Sequence, residues 1–554
     1  MQPEILIDNE TLRVDFNQFD IDAYRTFLKV KRLPEYHLDF DIATGSYAVT
    51  APARFAALLG VDRPMVDAGE LPLADYLFDD QRHVVLQALA AKRFAVWTDC
   101  GLGKTAVLLE WARQVIHRTG GRVLIITMNE PIDQTLGMCR GWYGERLAMR
   151  RLHSRAEMRA WCKDGNGWAE RLAITNYEKM NPDEDGQEVH EMRYLAGVVL
   201  DESSRLKTGG GKQKWAIIKS CKGIPYKLSC TATPAPNDTM EFASQASFLE
   251  KMRSEGEIIW TYFTRHPKTH RWSVKKHARK AFFEFMSTWS IYIRDPRRYG
   301  WRKDLPEVPS PVILQHMIEP TREQLQHVAE CTRDKSGAME LFVHKDTNAI
   351  QRGRLSQIAK GFRYRKGTAG RSAERIESRK PGFVADLIRS EVAAGLQVLV
   401  WTVFDEETRI LVERLAGLDG LEVLTGDVAD ADRIPILDRF RTGASRVLIS
   451  RAGMLGYGMN FQCCGSMIFN GWNDSYEQWY QAIRRAYRFG QTKALRVHVP
   501  IIAELEGDTL DNIFRKQAAH EADIAEMEAN YIAANRSLGL LVDVSARELA
   551  KERG

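Results

Sequence analysis

Gly101-Leu102-Gly103-Lys104-Thr105 follows the apolar run Phe94–Trp97 and opens a stretch of helical composition, Ala106–His117. In a strand, glycine loop and helix of this kind, backbone amides at the helix start cradle phosphates. Gly101 and Gly103 let the chain wrap them, Lys104 would reach the β and γ phosphates, and the Thr105 hydroxyl would hold magnesium. Thr98 stands where the longer form of the pattern has its first glycine. Downstream, a second apolar run, Val198–Leu200, ends in Asp201-Glu202. A nucleotidase needs carboxylates at a strand end facing the phosphate loop. Asp201 is expected to bind Mg2+, through water, and Glu202 to orient and deprotonate the attacking water. ATP and Mg2+ are the ligands these two features call for together.

Such groups must be held by strand ends, and the sequence supplies them twice. Between Phe94 and Leu249 the strand candidates are Phe94–Trp97, Val123–Thr127, Leu172–Thr175, Val198–Leu200 and Lys227–Ser229. Between Gln397 and Ile502 they are Val398–Val403, Glu422–Leu424, Val447–Ser450, Ser466–Phe469 and Arg496–Pro500. Each block alternates with amphipathic helical stretches, which predicts two α/β lobes built on doubly wound parallel sheets. The domain reading is a small N-terminal accessory region over 1–75, a first lobe over 76–250, a helical and basic linking region over 251–390, a second lobe over 391–505 and a C-terminal helix over 506–554 packing on the second lobe. A helix is also expected at Pro52–Leu59. No internal repeat or low-complexity tract is present, which argues against solenoids and propellers.

The chain of 554 residues is 44% hydrophobic and 27% charged, the balance of a globular protein with several cores. No run of apolar residues is long enough to span a bilayer, and acids rather than a basic and then apolar stretch fill the first thirty residues, so neither a membrane span nor a signal peptide is expected. Eight cysteines without a CxxC pair show no zinc spacing and suit a reducing compartment. Net charge is +5, but residues 1–80 carry −8, which leaves the rest at +13. Residues 264–280 and 362–380 interleave cations with aromatic rings, as surfaces that track phosphates do.

Further segments resemble one family. The runs 198–212 (VVLDESSRLKTGGGK), 228–238 (LSCTATPAPND) and 243–249 are similar to motifs II and III of Swi/Snf-type proteins, a branch of helicase superfamily 2. Residues 77–89 resemble its adenine-reading Q motif, 124–142 its motif Ia, 398–404 motif IV, 450–462 motif V and 481–491 motif VI. The resemblance spans 77–520. It implies two RecA-like lobes, with Gln81 reading adenine and Thr231 and Thr233 coupling hydrolysis to lobe motion. It places Asn176, Tyr177 and Arg451 with the tracked nucleic acid and Gly456 with the nucleotide. Arg488 becomes the arginine finger across the cleft, with Arg485 beside it, stabilising transition-state charge. Gln478 and Gln481 would orient that helix. Departures from the family are Thr98, Cys100, Ser203-Ser204 and Arg484; the serines bear on how motif II senses its surroundings.

The expectation is therefore an ATP-dependent translocase on double-stranded DNA, forked or single-stranded DNA being further substrates. By family analogy it would serve replication, recombination or repair in the cytoplasm of a bacterium or a phage-infected host. A monomer directed by a protein partner is the simplest form. Two other readings are a strand-separating superfamily 2 helicase on forked DNA or RNA, and a non-catalytic nucleic-acid-binding protein on a motor scaffold; retention of Lys104, Asp201, Glu202 and Arg488 speaks against the last.

Overall fold

Three parallel strands, Arg93–Thr98, Tyr226–Thr231 and Gly197–Asp201, lie side by side at the centre of the chain's larger sheet. Their interior residues are buried on both faces, which is why each reads as a largely apolar or small-residue run, Lys227 excepted, rather than an alternation. The two faces still separate by parity. Ala95 and Trp97 join one hydrophobic layer with Leu124, Ile126, Val198 and Leu200, whereas Phe94 and Val96 join the other with Val123, Ile125, Val199 and Leu228. The full seven-stranded order is 290–293, 93–98, 226–231, 197–201, 123–127, 172–176 and 149–151, every pair parallel.

The computed structural model describes residues 4–7, 11–16, 20–31, 33, 36–41, 46–52, 59, 71–129, 131–163, 168–182, 189–207, 211–235, 240–252, 254–265, 272–302, 308–332, 349–367, 370–452, 460–472, 475–488, 491 and 493–537. The chain divides into two compact units, Met1–Leu305 with Ala522–Gly554, and Pro306–Glu521. In the second unit a six-stranded sheet runs in the order 312–317, 496–501, 466–469, 398–402, 447–451 and 421–424, again wholly parallel. All ten strand candidates read from sequence are strands here. Two parallel α/β sheets are thus the architecture.

The region read as helical and basic is more than that. It lends Ser290–Ile293 to the first sheet and Val312–Met317 to the second, each as an edge strand. Val312–Met317 lies at an edge with its side chains largely in solvent, so no apolar run marks it. It also forms two antiparallel hairpins, Phe263–Arg265 with Trp272–Val274 and Phe362–Gly367 with Gly370–Arg375. The N-terminal region is an antiparallel sheet of Glu4–Ile7, Thr11–Phe16, Ser46–Pro52 and His37–Asp41 with the helix Ile21–Val30, around Leu12, Val14, Val30 and Val49. Pro52 ends a strand rather than starting the expected helix, and 53–58 lie outside the described residues.

The C-terminal helix, Ala503–Ser537, differs from expectation in what it packs on. Ile524, Met527 and Tyr531 belong to the first unit's core, beside Phe283, Met286 and Tyr292. Arg298 pairs with the buried Glu528 and Arg279 with Glu526. Its earlier part serves the second unit, where Leu510 and Ile513 join that core. An amphipathic periodicity announces a buried stripe but not which surface buries it.

Glu506 on this helix accepts from Lys360 Nζ at 2.7 Å and Lys380 Nζ at 2.6 Å, all three side chains being buried. Burial alone would raise the Glu506 carboxyl, but the two ammonium groups outweigh it and hold it below the ordinary carboxylate range. A carboxyl lowered on folding contributes stability at neutral pH that is lost as pH falls through its folded value. Glu506→Gln leaves two buried ammonium groups without their counter-ion, so it should destabilise the second unit by about 3 kcal/mol at pH 7. Urea titrations at pH 7 and pH 4 check this, and the difference between variant and wild type should shrink at the lower pH.

Candidate active site

Parallel neighbours place their carboxyl ends on one side, so the loops after 93–98, 226–231 and 197–201 gather there. The register is tight: Trp97 faces Thr231, and Cys230 faces Asp201. The loop after the first strand turns through Gly101 at φ 87° and Gly103 at φ 83°, a region that admits glycine far more readily than other residues. Asp99 braces it by accepting from Cys100 N at 2.7 Å. The helix Lys104–Thr119 starts immediately after, which puts Lys104 and Thr105 at its first turn with the amides a phosphate would meet.

Lys104 Nζ donates to Thr98 O at 3.0 Å. Burial pulls this ammonium down, but Cys100, Glu202, Asp201 and Asp99 together hold it above its ordinary value. Asp201 shows the converse, burial raising its carboxyl while Lys104 and the Thr127 hydroxyl lower it, with a net rise. Thr127 Oγ1 donates to Asp201 Oδ2 at 3.0 Å. Lys104, Asp201 and Glu202 therefore share one electrostatic neighbourhood. Glu202 sits at φ 54°, a left-handed conformation that costs a non-glycine residue about 1–2 kcal/mol. Such strain persists where the surroundings dictate it, and here the turn Ser203–Lys207 follows at once, with Arg205 N donating to Glu202 O at 3.1 Å. A magnesium ion with its waters and a triphosphate suits this donor set: the Thr105 hydroxyl, the Asp201 carboxylate, Lys104 and a helix start.

Gln81 is buried on the helix Asp79–Ala91. Its amide donates to Leu102 O at 2.9 Å and accepts from Phe78 N at 3.1 Å, so the side chain expected to read adenine is held against the glycine loop. Arg302 reinforces this helix start by a buried, two-pronged pair with Asp80 at 2.6 and 2.8 Å. Thr231 and Thr233 are fully buried, and Thr233 N donates to Thr231 Oγ1 at 3.2 Å, which gives the turn after 226–231 a defined shape.

Tyr177 differs from its expected role against the tracked strand. It is fully buried and its hydroxyl donates to Asp201 O at 2.8 Å, so it supports the acidic turn from within. Asn176 is also mostly buried, pairs with Asn129, and accepts from Lys179 N and Nζ at 3.3 and 3.0 Å, capping the turn Tyr177–Met180. Sequence reading missed Thr127, Asp99 and Gln245. The available signal was a polar residue ending a buried strand, as in Leu124–Thr127, or standing alone on a helix face otherwise apolar or small.

In the second unit a cavity of about 190 Å3 opens at the carboxyl ends of 398–402, 447–451 and 466–469, lined by Trp401, Val403, Arg451, Phe469, Trp472 and Gln478 among others. Arg451 pairs with Asp405. Arg485, 5% exposed, stacks 5.7 Å from the Trp401 ring centre and donates to Ala452 O at 3.0 Å. Arg488 is half-buried, and its Nε donates to Arg484 O at 2.8 Å. Gln478 N is capped by Ser475, and Gln481 bonds Glu477. Gly456 lies outside the described residues. Of the vicinal cysteines, Cys464 is buried and Cys463 exposed.

A Cβ at Gly103 would stand 2.3 Å from Gln81 Nε2. Gly103→Ala combines that clash with the positive φ, so it should cost about 1–2 kcal/mol in stability and weaken ATP binding by dislodging Gln81. Thermal unfolding with and without ATP measures both, and an unchanged ATP-induced shift would contradict the assignment.

Residues 379–490 match the family described as the helicase conserved C-terminal domain. No curated protein matches the chain. Among solved structures, the chain is similar to the Sulfolobus solfataricus SWI2/SNF2 ATPase core in complex with dsDNA, at 18% identity over 85% of this chain and 99% of that one, with a TM-score of 0.36. Residues 379–490 thus carry a helicase conserved C-terminal domain, built on the parallel sheet of the second unit.

Proposed function

We propose that the protein is a nucleic-acid-stimulated ATPase that translocates on double-stranded DNA. The observation that carries the reading is the shared neighbourhood of Lys104, Asp201 and Glu202 at adjoining strand ends, beside a glycine loop and a helix start. Lys104 and the loop amides bind the phosphates, Thr105 and Asp201 hold Mg2+, and Glu202 orients and deprotonates the attacking water. Arg488, with Arg485, is assigned the charge that develops on the γ phosphate. Gly456 completes the nucleotide contacts, and Arg451, Thr231 and Thr233 link hydrolysis to nucleic acid. Phosphate contacts make tracking largely independent of sequence. The basic, aromatic-rich segments 264–280 and 362–380 support a polyanionic track, and the Swi/Snf-like motif series favours duplex DNA.

ATPase rates measured without nucleic acid, and with single-stranded, duplex and forked DNA and RNA, decide among the readings. Duplex stimulation is the expected result; a preference for single strands or RNA would favour strand separation, and no hydrolysis under any condition would sink the enzyme reading. Glu202→Gln should lower kcat by about 10²–10⁴-fold while ATP still binds. Arg488→Ala should lower it by about 10³-fold or more. Lys104→Ala hydrolysing at the wild-type rate would remove the phosphate loop from the account.

A further inference from the structure

Gln245 lies in the run 243–249 that resembles the family's motifs, yet that resemblance gives it no role, and it is a highly connected buried amide in the first unit's described core. It lies on the helix Glu241–Phe248, whose residues from Phe242 to Phe248 are all buried, and it is itself 1% exposed. Its Oε1 accepts from Ser203 Oγ at 3.1 Å, from Trp97 Nε1 at 3.3 Å and from Ser229 Oγ. Its Nε2 donates to Pro234 O at 3.3 Å. Trp97 is on the strand that feeds the phosphate loop, Ser203 directly follows Glu202, and Ser229 is on the strand leading to Thr231. Pro234 directly follows Thr233. One side chain thus touches the three strand ends on which the site is built. Trp97, Ser203 and Ser229 are fully buried, so water offers them no substitute partner.

We propose that Gln245 is a positioning residue that fixes the backbone turn at Glu202 relative to the Thr231–Pro234 turn and passes movement between them. The inference rests on the ATPase reading above. An amide oxygen has two lone pairs, and here three donors converge on it, so their bonds compete. A shift of the acidic turn that draws Ser203 away leaves Trp97 and Ser229 to take up the oxygen, and the Nε2 bond carries the change to Pro234. An apolar side chain of similar length would fill the same space and transmit nothing.

The test compares full-length wild type, Gln245→Met, Ser203→Ala and the double variant in steady-state ATPase assays with and without duplex DNA, with thermal unfolding alongside. Gln245→Met should leave KM for ATP within about threefold and lower kcat about tenfold or more, since a small displacement of a catalytic group is costly. Ser203→Ala, which leaves the helix packing untouched, should lower kcat in the same sense by less, and adding it to Gln245→Met should change little further. A wild-type kcat in both single variants overturns the proposal, as do strictly additive losses or losses that merely follow the unfolding temperature. If Gln245→Met does not fold, the Ser203→Ala kcat alone decides. A wild type that hydrolyses no ATP overturns the ATPase reading and this inference together, whereas an active wild type with unchanged variants overturns only this one.

Discussion

The parallel pairing of 93–98 with 226–231, and of 226–231 with 197–201, is the constraint on which the first unit's chemistry depends. Parallel strands end on the same side, so three loops far apart in sequence open onto one edge without any of them having to be long. The register then sets the spacing: a slip of one residue would exchange the two faces, sending Ala95 and Trp97 into the layer built for Phe94 and Val96. Two different hydrophobic layers forbid that slip, because indole and alanine do not interchange with phenyl and valine at native packing density. Packing on the two faces of the sheet therefore determines where a lysine and two carboxylates stand at its end.

Those charges impose demands of their own. Lys104 and Asp201 are each penalised by burial, in opposite protonation senses; Lys104 is the main relief for Asp201, with Thr127 beside it, while Lys104 is held up by Cys100 and Glu202 and then by Asp201 and Asp99. A site assembled this way is electrostatically incomplete as either half alone. Removing one charge leaves the other buried and uncompensated, so substitutions here affect both folding and chemistry, and the two must be separated by measurement. The same logic governs the second unit, where Glu506 holds two buried lysines and Glu407 accepts from Val403 N, Phe404 N and Asn470 to fix the loop after 398–402.

Strands buried on both faces announce themselves in sequence as apolar runs, and the glycine loop and acidic pair follow two of them at once, so nine buried strands and the strand-end positions of Lys104, Asp201 and Glu202 were legible. The edge strand Leu421–Leu424 was legible too, but Val312–Met317 was not, being largely solvated, and Ser290–Ile293 was not, being a lone buried run inside a stretch otherwise of helical and basic composition. Nor could sequence tell that Tyr177 turns inward: a tyrosine after a strand end is equally compatible with solvent, nucleic acid or a carbonyl, and only the Asp201 oxygen 2.8 Å from its hydroxyl decides. Helix 503–537 shows the same limit, since its periodicity fixes a stripe while its partners come from distant parts of the chain.

The two motif VI arginines are unequal in the second unit. Arg485 lies buried over Trp401, and its guanidinium donates to the carbonyl of Ala452, at the start of the motif V segment. Its main chain is engaged as well, Arg485 O accepting from Phe461 N at 2.8 Å at the far end of that segment. Arg485 thus bonds both Ala452 and Phe461. Arg488, half-buried one turn further on, donates from Nε to the main-chain oxygen of Arg484. The two arginines therefore differ in their surroundings: Arg485 is buried and bonded to both Ala452 and Phe461, whereas Arg488 is half-buried and bonded to Arg484.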